Sequence, residues 1–210
     1  MAYGMSSPNG IRYHQGELYL TQLRLPKAKT STISSGLYRF NSSDRNVFVS
    51  SDLTSPNLIF SDQTDNLDRQ FGLDGLIFDS VGRLYVSDFG DGQIFQLTFN
   101  VDKTVSINEF ATLPTETGID GLAIDLQDNL YAAGFLQNQI WKITQDQETH
   151  LIADYPDNNG SNGQIDQPAD VWVWNDKLVI SNFDLMNGEG IENSGHSKPY
   201  TISYIDLNTK

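Results

Sequence analysis

The sequence predicts an all-β protein built from repeated antiparallel sheets, and three observations lead to this prediction. Short apolar runs rich in Val, Ile, Tyr and Phe recur along the chain, and many alternate with polar residues as strands do. No segment has a sustained 3.6-residue period with helix caps at its ends. A short motif also recurs four times. With 210 residues, of which 38% are hydrophobic and 19% charged, the chain can bury the core of one such domain.

The repeated motif is an Asn or Asp at the start of an apolar strand, followed by a tight hairpin and a second strand. The anchor residues of the four repeats are Asn9, Asp74, Asp120 and Asp170, so successive anchors are 65, 46 and 50 residues apart. The extra length of the first step falls in the polar segment 24–35. Strands that start at these anchors, here called inner strands, are expected near 75–79, 121–125 and 171–174.

Each repeat carries further short strands after the hairpin. The expected third strands are 36–40, 93–97, 139–143 and 200–205, and the expected outer strands are 57–60, 107–110 and 150–153. Groups of four strands with a period of about 45 residues are typical of β-propeller blades. We therefore predict that residues 1–210 form a single β-propeller domain, or a partial propeller, with about four blades of four antiparallel strands. A β-sandwich would explain the strands but not the repeated anchor.

The composition excludes several classes of function. Lys and Arg number 13 against 27 Asp and Glu, which gives a net charge of −14 and argues against nucleic acid or an anionic membrane surface as partner. The absence of cysteine excludes disulfides, thiolate metal sites and a cysteine nucleophile. There is no apolar run of transmembrane length, and the first ten residues lack the apolar core of a signal peptide. We therefore expect a soluble chain, either cytoplasmic or exported after loss of an N-terminal segment.

The four anchors form the candidate site. Inner strands line the central channel of a propeller, so residues at their starts are expected to meet at one mouth of that channel. Three carboxylates repel one another there unless a cation, protons or water compensate, and their oxygens together with the amide oxygen of Asn9 suit a divalent metal. The sequence thus predicts a metal site formed by Asn9, Asp74, Asp120 and Asp170, with calcium favoured over zinc or manganese. The alternative is that the Asn-Gly and Asp-Gly pairs only form turns and cap them.

Two segments resemble a known family. Residues 8–11 (PNGI) and 73–86 (LDGLIFDSVGRLYV), continued by 88–97, are similar to the regucalcin/gluconolactonase family of six-bladed propellers. The resemblance implies a divalent metal in the channel and hydrolysis of a sugar lactone or similar ester. It places Asn9 on a metal-binding Asn and Asp74 on a residue that is both metal ligand and catalytic. The looser repeat is shared with the strictosidine synthase-like and streptogramin lyase-like propellers.

The sequence departs from that family at one point. The family takes a further ligand from a Glu in an early blade, in a Glu-Gly-Pro type motif, and this motif is absent here. Residues 1–210 are then expected to match the later blades, with the early blades missing. Asp120 and Asp170 have no firm counterpart in the family; we assign Asp120 as a second catalytic candidate and Asp170 as a metal ligand.

The resulting functional hypothesis is a metal-dependent hydrolase of a small lactone or ester. A non-enzymatic scaffold is the main alternative, since an incomplete propeller is expected to self-associate through exposed blade faces. A second alternative is a propeller enzyme of another class, either a lyase or a strictosidine synthase-like enzyme.

For three further sets of residues, the sequence supports weaker predictions. Asp88 and Asn182 follow second strands and are candidates for substrate contact, with surface turns favoured for both. Trp172 and Trp174 are expected to pack between blades. Segment 157–166 is rich in Asp and Asn but is expected to be a solvated loop rather than a calcium loop.

Overall fold

The computed structural model describes residues 2–102, 104–184 and 187–208, and over these residues the chain is an all-β protein of four antiparallel blades. The helical residues among them form two 3-10 turns, Phe135–Gln137 and Ser161–Gly163. No helix in the described part of the chain is long and apolar enough to cross a membrane.

Three blades have four strands each. The first blade contains β2 (Pro8–His14), β3 (Glu17–Gln22), β4 (Ser34–Asn41) and β6 (Leu58–Gln63). The second contains β7 (Leu73–Phe78), β8 (Leu84–Asp88), β9 (Gln93–Phe99) and β10 (Val105–Thr112). The third contains β11 (Ile119–Ile124), β12 (Leu130–Gly134), β13 (Gln139–Ile143) and β14 (Thr149–Asp154).

The fourth blade has three strands in the described part of the chain. These are β15 (Pro168–Trp174), β16 (Lys177–Asn182) and β17 (Ile202–Asp206). A short parallel pair, β1 (Ala2–Tyr3) and β5 (Val47–Phe48), lies beside the first blade and packs with its core. The prediction of a propeller built from repeated four-stranded blades is confirmed.

In the second and third blades, an aspartate shapes the hairpin between the inner and the second strand. In the second blade, Asp79 Oδ1 accepts hydrogen bonds from the backbone N–H groups of Val81 and Arg83, at 3.1 and 2.8 Å. In the third blade, Asp125 Oδ1 does the same for Gln127 and Asn129, at 2.9 Å each. These side chains satisfy the turn's backbone donors, which is why Asp recurs at this position.

Three layers of the hydrophobic core lie between successive blades. Tyr19 and Leu37 of the first blade pack on Leu84 and Val86 of the second. Ile77 and Tyr85 of the second blade begin the next layer, which is completed in the third by Ile119, Leu122, Leu130 and Ala132. The last layer joins Tyr131 and Ile140 of the third blade to Val171, Leu178 and Ile180 of the fourth. Because strand side chains alternate in direction, each middle blade contributes to the layers on both of its sides.

The alternation also decides where Trp172 and Trp174 lie. The prediction that these two side chains pack between blades was wrong. Val171 faces the third blade, whereas Trp172 and Trp174 point the other way and are 56% and 60% exposed. The inner strands contact one another in chain order from β2 to β15, and among the described residues no comparable contact joins β15 back to β2. No described blade therefore covers these two indole rings.

Candidate channel-mouth site

Each inner strand has an irregularity at its anchor residue. The pairing of β7 with β8 shifts register between Leu73 and Leu76, and the pairing of β11 with β12 shifts between Ile119 and Leu122. The pairing of β2 with β3 shifts at the equivalent point, between Pro8 and Ile11, and the pairing of β15 with β16 shifts slightly earlier, between Pro168 and Asp170. A β-bulge turns a side chain out of the regular alternation while the strand continues. The inner strands accordingly begin before the anchors, up to three residues earlier than expected from the sequence.

The glycines after the anchors have a packing role. A Cβ added to Gly75 would collide with the backbone oxygen of Asp120, the anchor of the next blade. A Cβ on Gly121 would collide with Asp170 in the same way. Glycine is needed here because successive inner strands approach closely around the channel. This argues against the turn-forming interpretation, since Asp74 and Asp120 both lie inside strands.

The four anchors line one cavity. Its volume is about 500 Å³, and its lining includes all four anchor residues, Asn9, Asp74, Asp120 and Asp170. The four positions identified from the repeat are thus brought together, while their roles as ligands or catalysts stay predictions. Asp170 retains some capping character, because its Oδ1 accepts a hydrogen bond from the backbone N–H of Val171 at 2.9 Å.

Asp74 is the most buried of the four, with 3% of its surface exposed. Burial raises the pKa of its carboxyl well above the ordinary value, and the charges of Asp120, Asp88 and Asp170 raise it further. A hydrogen bond from the Asn9 side chain opposes that rise. The Asp74 backbone is fixed separately, since its carbonyl oxygen accepts a 2.6 Å hydrogen bond from the hydroxyl of Thr21 in the first blade.

Asp120 is half-buried and lies between the other two aspartates in blade order. Burial, followed by the charge of Asp170, raises the pKa of Asp120 to about 8. Its backbone oxygen accepts a 3.1 Å hydrogen bond from the hydroxyl of Ser87 in the second blade. Asp170 itself is exposed at the mouth of the cavity. Solvent exposure therefore increases across the site, from the buried Asp74 through the half-buried Asp120 to the exposed Asp170.

A row of aromatic rings lies across the same cavity. The rings of Phe71 and Phe89 have centroids 5.6 Å apart, those of Phe89 and Phe135 6.0 Å, and those of Phe135 and Phe183 5.8 Å. All four line the cavity, together with Leu23. This apolar wall can hold the carbon skeleton of a small molecule and limit the access of water.

Sequence reasoning missed this wall, although a signal for it exists. Leu23, Phe89, Phe135 and Phe183 each directly follow the second strand of their blade. The candidates Asp88 and Asn182 lie one position earlier, and both are buried strand ends rather than cavity-lining residues or surface turns. Asn182 is engaged within its own blade, where its amide donates to Thr201 Oγ1 and Ser203 Oγ at 2.9 Å each. Arg12, the cationic residue that lines the cavity, was also missed, because no basic residue recurs at this position in the other repeats.

The donor set is compatible with a hard cation. Carboxylates held close together with raised pKa values are stabilised either by protons or by a positive ion. The carboxylate oxygens of Asp74, Asp120 and Asp170 do not all lie within 4.8 Å of one another. Among the described residues, a different trio of aspartates does meet this spacing. A divalent cation here would therefore be held by Asn9, Asp74 and one neighbouring aspartate rather than by three carboxylates at once.

Comparison with known proteins places the fold. No family model matches the sequence, and no curated protein matches it. Many solved structures do match the fold. A luciferin-regenerating enzyme aligns with 92% of this chain at a TM-score of 0.61 and 15% identity. A gluconolactonase from Xanthomonas campestris aligns with 85% of the chain at a TM-score of 0.56 and 16% identity.

A third structure, the calcium-binding protein regucalcin from Agrobacterium tumefaciens, aligns with 83% of the chain at a TM-score of 0.56 and 16% identity. The aligned regions cover 59%, 55% and 52% of these three proteins, so the chain spans less than two thirds of their length. The resemblance seen in the sequence is confirmed at the level of fold: the chain is a β-propeller of the kind found in gluconolactonase and regucalcin structures.

Proposed function

We propose that this chain forms the channel mouth of a metal-dependent hydrolase that acts on a lactone or a similar cyclic ester. The observation that carries the proposal is the convergence of Asn9, Asp74, Asp120 and Asp170, from four blades, on one cavity. The likeness to gluconolactonase propellers supports the substrate class. Because the Glu-Gly-Pro motif is missing, we take the ligands of this chain from its own anchors, with Asn9 and Asp74 as the principal ones.

Lactone hydrolysis needs a polarised carbonyl, a base that activates water and a group that returns a proton to the ring oxygen. A divalent cation at Asn9 and Asp74 supplies Lewis-acid polarisation when bound. The Asn9 amide orients the Asp74 carboxylate by its hydrogen bond. Asp120, half-buried beside the cavity, takes and returns the proton at its carboxylate oxygens. The apolar wall of phenylalanines packs on the apolar side of the substrate and limits the access of bulk water to the cavity.

The test is a pH-indicator assay over a panel of aldono-lactones, with calcium, zinc, manganese or chelator. We expect metal-dependent proton release that Asp74→Ala abolishes and Asp120→Asn lowers by about 100-fold or more. Asp176→Asn is the matched control, because it removes one charge from the far end of the fourth blade's inner hairpin. It should leave the rate unchanged. Proton release that is absent, or that survives both chelation and Asp74→Ala, overturns the lactonase proposal.

A scaffold role is the second candidate, and one observation favours it. The fourth blade has an open face, which points away from the third blade. This face exposes Trp172, Trp174 and Tyr204, each more than half accessible to solvent. Large adjacent aromatic groups on a surface are typical of a docking site for another polypeptide. Binding of this kind and catalysis at the channel mouth use different faces, so each can be tested with the other intact.

A further inference from the structure

A second group of aspartates lies outside the channel, between the first two blades. Asp62 is on β6, the outer strand of the first blade, while Asp88 ends β8 and Asp91 follows it in the second blade. Each of the three offers a carboxylate oxygen, and these oxygens all lie within 4.8 Å of one another. We call this trio the interblade cluster.

Asp88, the most buried member of the cluster, has a carboxylate oxygen without a partner in the described part of the chain. Its side chain is completely buried, and its Oδ1 accepts the backbone N–H groups of Gly90 and Asp91, at 2.9 Å each. Its Oδ2 is buried as well and has no hydrogen-bond partner among the described residues. Capping of the turn explains Oδ1 but leaves Oδ2 with no partner, although a buried carboxylate oxygen normally has one.

The remaining contacts hold the cluster in place without neutralising it. Asp91 accepts the backbone N–H groups of Asp65 and Asn66, at 2.8 Å each, which draws the segment after β6 against the turn after β8. None of the four ion pairs formed by described residues includes an aspartate of the cluster. The guanidinium of Arg69, in the same segment, donates instead to the carbonyl oxygens of Glu189 and Gly190.

From this geometry we infer that the interblade cluster is a second divalent-cation site, selective for calcium, which joins the first blade to the second. Three carboxylates supply hard oxygen ligands, and water completes the shell that calcium requires. The site has a route from solvent, because Asp91 also lines an open groove on the surface. The raised pKa values of Asp62, about 6, and of Asp88, about 7, are consistent with this, since burial and mutual repulsion disfavour three bare anions.

The inference is independent of the proposed activity, and the experiment separates the two sites. Calcium chloride is titrated calorimetrically into the full chain carrying Asp120→Asn and Asp170→Asn, after chelator treatment and removal of the chelator. This background weakens the channel site and leaves the interblade cluster intact. We expect one calcium ion per chain, and magnesium binding about tenfold or more weaker because magnesium demands a small octahedral shell.

Adding Asp62→Asn to that background should weaken calcium binding by about tenfold or more. Adding Asp91→Asn should do the same, which guards against a folding defect in one variant; far-UV circular dichroism verifies both. Asp68→Asn is the matched control, because it removes the same charge from an exposed position in the neighbouring segment. Calcium binding that is absent in the background, that survives Asp62→Asn and Asp91→Asn, or that falls equally with Asp68→Asn overturns the inference.

Discussion

At the residue scale, aspartates of this chain differ mainly in what surrounds their oxygens. Asp79 and Asp125 accept backbone hydrogen bonds in their hairpins. Asp166 is also buried, with 1% of its surface exposed, but neither of its oxygens has a hydrogen-bond partner among the described residues. Burial, followed by the charge of Asp184, raises the pKa of Asp166 to about 7. The fold therefore favours the protonated form of this side chain.

This pKa predicts a pH-dependent effect of Asp166→Asn. A carboxyl whose pKa is raised in the folded state contributes stability below its ordinary pKa, and that stability is lost as the pH rises through about 7. Asn resembles the protonated form, so the variant should be more stable than the parent protein wherever the unfolded carboxyl is ionised, that is, above about pH 4. Its advantage should grow by about 2–3 kcal/mol between pH 5 and pH 8, because the parent loses stability until the pH passes the folded pKa of about 7.

Urea unfolding at the two pH values measures this difference. Asp146→Asn is the control, because Asp146 is exposed and its replacement removes the same charge. A gain from Asp166→Asn that is the same at pH 5 and pH 8 would contradict the assignment of a buried, proton-binding carboxyl.

At the scale of the element, one inner strand serves both the core and the site. The bulge at each anchor directs a polar side chain to the cavity, while the residues after it resume the alternation that fills the layers between blades. Glycine after the anchor lets the neighbouring inner strand come close. Site geometry and blade packing are therefore coupled through positions such as Gly121.

We expect Gly121→Ala to destabilise the chain by about 1–3 kcal/mol. Its Cβ would meet backbone atoms of the next blade, with Asp170 Cα at 2.7 Å and the Ala169 oxygen at 2.9 Å, so one inner strand must shift. Gly195→Ala is the control, since an added Cβ there meets nothing within 4 Å. It should change stability by less than about 0.5 kcal/mol. Equal thermal melts for the two variants would show that the close approach of the inner strands is unimportant.

At the scale of the whole molecule, the last described blade has one covered face and one open face. Leu178 and Ile180 are fully buried against the third blade, whereas Trp172 and Trp174 on the opposite face are more than half exposed. At about 25 cal/mol per Å² of apolar surface removed from water, covering such a face is favourable. The first blade differs, because residues of β1 and β5 pack on its outer face.

We therefore predict concentration-dependent self-association through the open face of the fourth blade. Light scattering on a size-exclusion column should give a mass above that of one chain, and Trp172→Glu with Trp174→Glu should reduce it to the monomer value. Leu126→Glu is the control, because Leu126 is 95% exposed in a hairpin rather than on a blade face. A parent chain that remains monomeric at all concentrations would argue against both self-association and the scaffold candidate.

The sequence by itself determined the blade repeat, the approximate strands and the four anchors, because alternation, turn chemistry and repetition are local signals. Only the tertiary structure decided what depends on which blades face each other. It placed Gly75 and Gly121 as contact points rather than turns, Phe89 and its equivalents across the cavity, and Trp172 on an open face. It also joined Asp62 to Asp88, which are 26 positions apart in the chain and in different blades. The contact between Asp62 and Asp88 arises from the packing of whole sheets, and no local pattern of residues encodes it.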